Sequence, residues 1–190
     1  NDVNAAALGE FWQGAGRGAR SLFCITVGTG IGGALILDGK LVRGATYSAG
    51  EIGYTKIGEP GTLESLAASW ALLRVGAAAK YLVPQELDGQ RIVGWARDGD
   101  EIATAALDKM IARLAAGIAN VCYIVNPELI ILGGGIMAQT KYIGPRLDAE
   151  LKKALLPLIY KGTQGVFAKL GNDAGMAGAV YNFLQRKNGK

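Results

Sequence analysis

The 190-residue chain has no histidine. That absence excludes serine–histidine triads, histidine metal sites and imidazole proton shuttles, so any acid–base chemistry must use carboxylates, lysine, tyrosine or cysteine. Cysteine is scarce as well. Cys24 and Cys122 lie far apart in apolar stretches and read as buried, reduced thiols. Charged residues make up 19% against 50% hydrophobic, a balance that supports a packed core and excludes disorder. The net charge is +4 with a pI near 9.1, yet no run of basic residues stands out. This points away from nucleic acid and towards anionic small molecules. No apolar run is long enough for a membrane span, and no signal peptide is expected. A cytoplasmic protein without a membrane partner is expected.

Glycine, by contrast, is abundant at 29 of 190 residues and aperiodic, which fits many tight turns or close approaches of backbone to ligand. The chain starts at Asn1 without a methionine, on residues that read as the inside of a motif, so a piece of a longer protein is expected. Residues 2–13 read as a helix, with Asn1, Asp2 and Asn4 as polar caps. Residues 21–27 (SLFCITV), 34–37 (ALIL) and 40–43 (KLVR) read as strands, the last two joined by the hairpin signal Asp38-Gly39. One helix is predicted over 62–82, a short one before Asp98-Gly99-Asp100, and a long one from Glu101 to about Asn126. On the last, Ile102, Ala106, Met110, Ile111, Leu114 and Ile118 share a face. A buried strand at 129–132, a helix after Pro145, a strand at 166–170, a helix from Gly175 and a polar tail at 186–190 complete the pattern. This is an α/β fold: a mixed sheet that begins with antiparallel hairpin strands and continues with alternating helices and strands. It is the ribonuclease H-like layout of actin-like ATPases and sugar kinases.

Residues 28–33 (GTGIGG) satisfy the G-x-G-x-x-G spacing after a strand. A dinucleotide-binding fingerprint needs a helix next. Here ALILDGKLV follows and reads as a hairpin, which disfavours a Rossmann-type nucleotide-binding protein. A glycine loop between two strands can still converge its N–H groups on one phosphate, and it can equally be a turn that needs positive φ. Gly133-Gly134-Gly135 closes an apolar strand, where open α/β sheets place ligands. Residues 171–179 (GNDAGMAGA) are small and open a helix; Gly178 and Ala179 read best as close helix packing.

The segments NDVNAAALGE, TVGTGIGGALILDGKLVRG, SAGEIGY, TLESLAAS, NPELIILGGGI and GNDAGMAGA, in this order and across nearly the whole chain, resemble the ROK family of repressors, open reading frames and kinases. The resemblance implies a two-lobed kinase with ATP, Mg²⁺ and a hexose-type sugar in the cleft between lobes. Residues 1–190 would be the C-terminal lobe, the N-terminal lobe being absent from this chain. In that family Asp2 would be the catalytic base and Asn1 would bond a neighbouring sugar hydroxyl. Glu51, Tyr54 and Glu64 would meet further sugar hydroxyls. Gly28, Thr29 and Gly30 would sit at the phosphates, with Gly134 and Gly135 near the nucleoside. A homodimer is also implied. Many members bind zinc through a histidine after the GE-x-G element and a cysteine cluster before LE. Here the histidine position is Tyr54 and residues 56–62 (KIGEPGT) hold no cysteine, so no zinc is expected. The resemblance leaves two activities open, a sugar kinase and a non-catalytic sugar-sensing regulator.

Overall fold

β1 (Leu22–Val27) is an uninterrupted apolar and β-branched run, and it becomes the centre of the sheet. The structure, a computed structural model, describes residues 1–187. β2 (Ile31–Leu37) returns antiparallel to β1, and β3 (Lys40–Val42) returns antiparallel to β2. The β2–β3 turn works because Asp38 and Gly39 both take positive φ, 48° and 74°. β4 (Leu129–Gly133) lies parallel to β1 on its other side, and β5 (Gln164–Phe167) lies parallel to β4. The strand order is therefore β3-β2-β1-β4-β5, the ribonuclease H-like arrangement expected from the sequence.

Alternation along β1 sends its side chains into two cores. Leu22 and Cys24 join Ala34, Ile36, Leu129 and Ile131 beneath α1 (Asp2–Gln13) and α8 (Ala174–Lys187). Burial pushes the Cys24 thiol up to about 12, with the nearby Glu10 charge adding to the shift, so Cys24 stays protonated. Phe23, Ile25 and Val27 face the larger core. That core is built from α2 (Leu63–Ala67), α3 (Ser69–Lys80), α4 (Gly89–Arg97), α5 (Glu101–Val125), α6 (Thr140–Ala154) and α7 (Pro157–Gly162). Among the described residues no helix is long and apolar enough to cross a membrane.

Four expectations need correction. The helix predicted over 62–82 is broken at Ala68, whose extended backbone (φ −68°, ψ 157°) separates α2 from α3. The break lets Ser69 N–H donate to the Gly28 carbonyl at 2.9 Å, a bond a continuous helix could not make. α6 starts before Pro145, which lies inside it; burial of Tyr142, Ile143 and Leu147 on one face outweighs the proline's lost hydrogen bond. On α5, Ile102 is 53% exposed, and the buried line runs instead through Ala103, Leu107, Met110, Ile111, Leu114 and Ile118. β5 ends at Phe167, one ladder bond persists from Ala168 N–H to Leu132 O, and the next amides, of Lys169 and Leu170, turn to the Glu10 carboxylate. Of the expected polar tail, Arg186 and Lys187 are still helical, and 188–190 lie outside the described residues.

α1 and α8 cross at two glycines. A Cβ on Gly178 would lie 1.7 Å from the Ala5 carbonyl oxygen, and one on Gly9 would lie 2.1 Å from that of Ala174. The packing reading of Gly178 holds, whereas Ala179 is exposed. Alanine in place of a helical glycine ordinarily stabilises a helix by roughly 0.5–1 kcal/mol. At this crossing overpacking dominates, so Gly178→Ala is expected to destabilise the protein by about 1–3 kcal/mol. A denaturant midpoint equal to or above the wild type's would rule out the close crossing.

Candidate functional site

The C-terminal ends of β1 and β4 point the same way, so the connections that leave them meet at one edge of the sheet. β1 leaves through the glycine loop and β4 through Gly134. Between them lies a cleft of about 610 Å³, within the usual range for ligand pockets. Gly134 takes φ 101°, and a Cβ there would come within 2.2 Å of the Val27 carbonyl oxygen. This close approach holds the two strand ends together and leaves a smooth floor.

The glycine loop closes on itself through a 2.8 Å bond from Gly28 N–H to Gly30 O, with Thr29 exposed at its tip. Glu64, in the first turn of α2, reaches across to the loop. Its Oε2 accepts from Ile31 N–H at 2.9 Å and occupies the space a Cβ on Gly30 would need, at 2.4 Å. One Glu64 oxygen is thus committed to the loop, and Oε1 is left for a ligand. The turn of α2 forms independently of Glu64, because Thr62 and Ser65 make a reciprocal capping box. On the opposite wall Asn1 caps α1, accepting from Asn4 N–H at 2.8 Å, and its Nδ2 donates to Glu51 Oε1 at 3.4 Å. Asp2, next on the helix, is exposed to the cleft and accepts from Val3 N–H at 3.0 Å. Glu51 leads into the 3-10 turn Ile52–Tyr54, which leaves the Tyr54 side chain exposed.

The structure brings almost all the sequence-derived candidates to one cavity. Asn1, Asp2, Gly28, Thr29, Gly30, Glu51, Tyr54, Glu64 and Gly134 line it, and Gly135 sits one residue outside. Carboxylates and a carboxamide ring one end, and glycines line the other. That combination suits a polyol on one side and phosphates on the other. Gly171, Asn172 and Gly175 were not among the candidates, yet they also line the cleft. Cβ atoms added at Gly171 and Gly175 would meet nothing within 4 Å, so this wall has open space before it. Their sequence signal is the small-residue opening of α8.

A profile of the ROK family matches residues 1–186. An uncharacterised protein of Clostridium perfringens is 46% identical over 99% of this chain and 63% of its own length. A beta-glucoside kinase of Listeria monocytogenes is 33% identical over 99% of this chain and 65% of its own length. The chain thus spans just under two thirds of the length of these relatives. Among solved structures, a ROK family glucokinase of Streptomyces griseus in complex with glucose and AMPPNP superposes with a TM-score of 0.84 at 29% identity, covering 98% of this chain and 67% of its own. A ROK family transcriptional regulator, a homologue of the Escherichia coli MLC protein, superposes with a TM-score of 0.83 at 27% identity, covering 95% of this chain and 50% of its own.

The loop between Tyr54 and α2 is tied to the body of the fold by charge. Arg113, on α5, donates from Nε to Glu59 Oε1 at 2.9 Å, pairs its Nη2 with Glu59 Oε2, and donates from Nη1 to the Leu66 carbonyl at 3.0 Å. The loop's neck is closed by Leu63 N–H to Thr55 O at 2.8 Å. The hydrogen-bonded Arg113 guanidinium holds the Glu59 carboxyl below its ordinary value of 4.5. A carboxyl depressed in the folded state contributes its stabilisation above that ordinary value and loses it as pH falls through the lowered one. Arg113→Met is therefore expected to speed proteolytic cutting within 56–62 by roughly two- to fivefold at neutral pH. The wild type should approach the same rate only when acidified below the ordinary carboxylate range. Equal cutting rates at neutral pH would show that the pair does not order the loop.

Proposed function

The chain belongs to the ROK family, and from that premise we propose that the protein containing it transfers the γ-phosphoryl group of ATP to a hydroxyl of a hexose or N-acetylhexosamine. Residues 1–190 act in this reading as the C-terminal lobe, and the remaining third of the relatives' length supplies the lobe that closes the cleft. The observation that carries the reading is the position of Asp2, a carboxylate on the same cavity as the exposed glycine loop.

Each part of the site has a task. Asn1, Glu51 and Glu64 hold sugar hydroxyls through paired bonds, and Tyr54 presents its hydroxyl beside them. Sites of this kind reject sugars that lack the matching hydroxyl, because their own polar groups are then left unpaired. Asp2 accepts the proton of the attacking hydroxyl. Phosphoryl transfer passes through a loose transition state, so a carboxylate serves well: it orients the nucleophile, and little proton transfer is needed early. Gly28, Thr29 and Gly30 receive the phosphates, and Gly134 and Gly135 lie towards the nucleoside. This rests on Gly28, Thr29, Gly30 and Gly134 lining the same cavity as Asp2. Magnesium belongs to the reading as an ion carried on the phosphates. A cytoplasmic homodimer completes it.

A second reading is a sugar-sensing regulator, favoured by the likeness to the MLC-type regulator. The full-length protein, tested with ATP on glucose, fructose, mannose, N-acetylmannosamine and a β-glucoside, separates the two. Turnover on one sugar is expected, with Asp2→Asn lowering it by about 10²- to 10⁴-fold while sugar binding persists. No turnover, with sugar binding detected by calorimetry, would replace the kinase by the sensor. Residues 1–190 alone should be inactive, and turnover by them at the full-length rate would overturn the two-lobe assignment.

A further inference from the structure

Among the described residues Glu10 is the one charged side chain that is buried outright, at 1% exposure. It lies near the C-terminal end of α1, and none of the described ion pairs includes it. A buried carboxylate is costly unless its lone pairs are filled. Here they are filled by backbone: Oε1 accepts from Lys169 N–H at 2.9 Å and Leu170 N–H at 2.7 Å, and Oε2 accepts from Ala15 N–H at 2.7 Å. Bonds from N–H groups to a charged acceptor are the strong kind, and burial strengthens them further.

The partners are what give these bonds a consequence. Lys169 and Leu170 directly precede the 3-10 turn Gly171–Asp173, and Gly171, Asn172 and Gly175 line the cleft. At the other end of the same helix, about 12 Å away at 1.5 Å per residue, Asp2 lines that cleft too. The glycine crossing of α1 on α8 fixes the two helices side by side. The crossing reaches only as far as Ala174, and the segment before it is tied to α1 by the two bonds from Lys169 and Leu170 to Glu10.

We propose that Glu10 is a positioning residue that locks the helix carrying Asp2 to the Leu170–Gly175 wall, and that this wall, which lines the cleft together with Gly134, serves the nucleotide, so that base and nucleotide keep a fixed separation. This rests on the kinase reading for its meaning, yet the lock itself can be tested by binding alone. The socket is tight: a Cβ on Gly14 would lie 2.0 Å from Glu10 Oε2 and 2.8 Å from Glu10 Cα. Glu10→Gln keeps the volume, but one acceptor oxygen becomes an N–H₂ group, so a donor must face either the Lys169 and Leu170 N–H groups or the Ala15 N–H, and the neutral amide holds the remaining N–H groups more weakly than the carboxylate did. Gly14→Ala keeps the carboxylate and pushes it out of its socket.

In the full-length protein, AMPPNP and glucose (or whichever sugar the panel selects) are titrated separately by calorimetry into wild type and both variants. Glu10→Gln is expected to weaken AMPPNP by about tenfold and leave the sugar dissociation constant within twofold, because the sugar residues do not touch the displaced wall. Gly14→Ala should reproduce that split, and it carries the comparison if Glu10→Gln does not accumulate as folded protein. Where the wild type turns over, the Michaelis constant for ATP should rise and that for sugar should not. Equal losses for both ligands would mean that Glu10 only stabilises the fold; no loss for either would mean that the wall does not depend on it. Both outcomes overturn the proposal. A wild type that binds both ligands and phosphorylates nothing would sink the kinase reading alone, and the binding split would still decide the lock.

Discussion

The cleft exists because β1 has two unlike neighbours. β2 runs against it, so the chain must reverse within the few residues of the glycine loop. β4 runs with it, so β4 must leave the sheet at the same edge where β1 has just turned back. Two exits crowded onto one edge can coexist only if one backbone passes directly over the other. Gly134 does this, with positive φ and no room for a Cβ beside the Val27 carbonyl. Ligand sites in open α/β sheets arise at such splits for the same reason: the edge is lined by backbone and not by side chains.

The two ends of the cleft are joined through this one loop. Glu64 bonds Ile31 N–H just beyond it, Ser69 N–H bonds Gly28 O within it, and Gly53 presses on the Ile31 carbonyl so closely that a Cβ would stand 2.1 Å from the oxygen. The carboxylate-rich wall therefore cannot shift without the glycine loop. Gly33 and Gly50 make a similar contact farther along, with a Cβ on Gly33 2.3 Å from the Gly50 carbonyl oxygen. In the proposed reading, a sugar held by Glu51 and Glu64 would thus be referenced to the same backbone that would receive phosphate. This pre-organisation supplies part of what phosphoryl transfer needs, since positioning is the larger share of its catalysis.

What could be read from sequence was what depends on neighbours along the chain. The hairpin at Asp38-Gly39, the apolar run of β4 and the long helix ending at Asn126 are local signals, and they stand as expected. The glycine loop was legible as a turn between strands because no helix could follow it. What could not be read depends on partners far away in sequence. The break at Ala68 serves a bond to Gly28, and the amides just past β5 turn to Glu10 at a separation of about 160 positions. Pro145 reads as a boundary because its penalty is local, whereas the burial that overrides it is not. The cleft's candidates were legible because family motifs carried them. Gly171, Asn172 and Gly175 were visible only as small residues, a pattern that helix packing also produces, as Gly178 in the same segment shows.

The site's own chemistry bears on the choice between a kinase and a sensor. Recognising a sugar needs donors and acceptors matched to its hydroxyls, and in the proposed reading Asn1, Glu51 and Glu64 would provide these for either task. Binding that is equally strong in the ground and transition states does not speed a reaction. Catalysis adds a group whose contribution is small until the hydroxyl attacks. In the proposed kinase Asp2 would be such a group. It is exposed to the cleft, and its only described bond is to the adjacent Val3 N–H, so it is not spent on holding the fold. Glu10, by contrast, is wholly committed to backbone and faces no solvent. In the proposed kinase two carboxylates on one helix would thus divide the work, one open to react and one closed to hold the frame in which the first is placed.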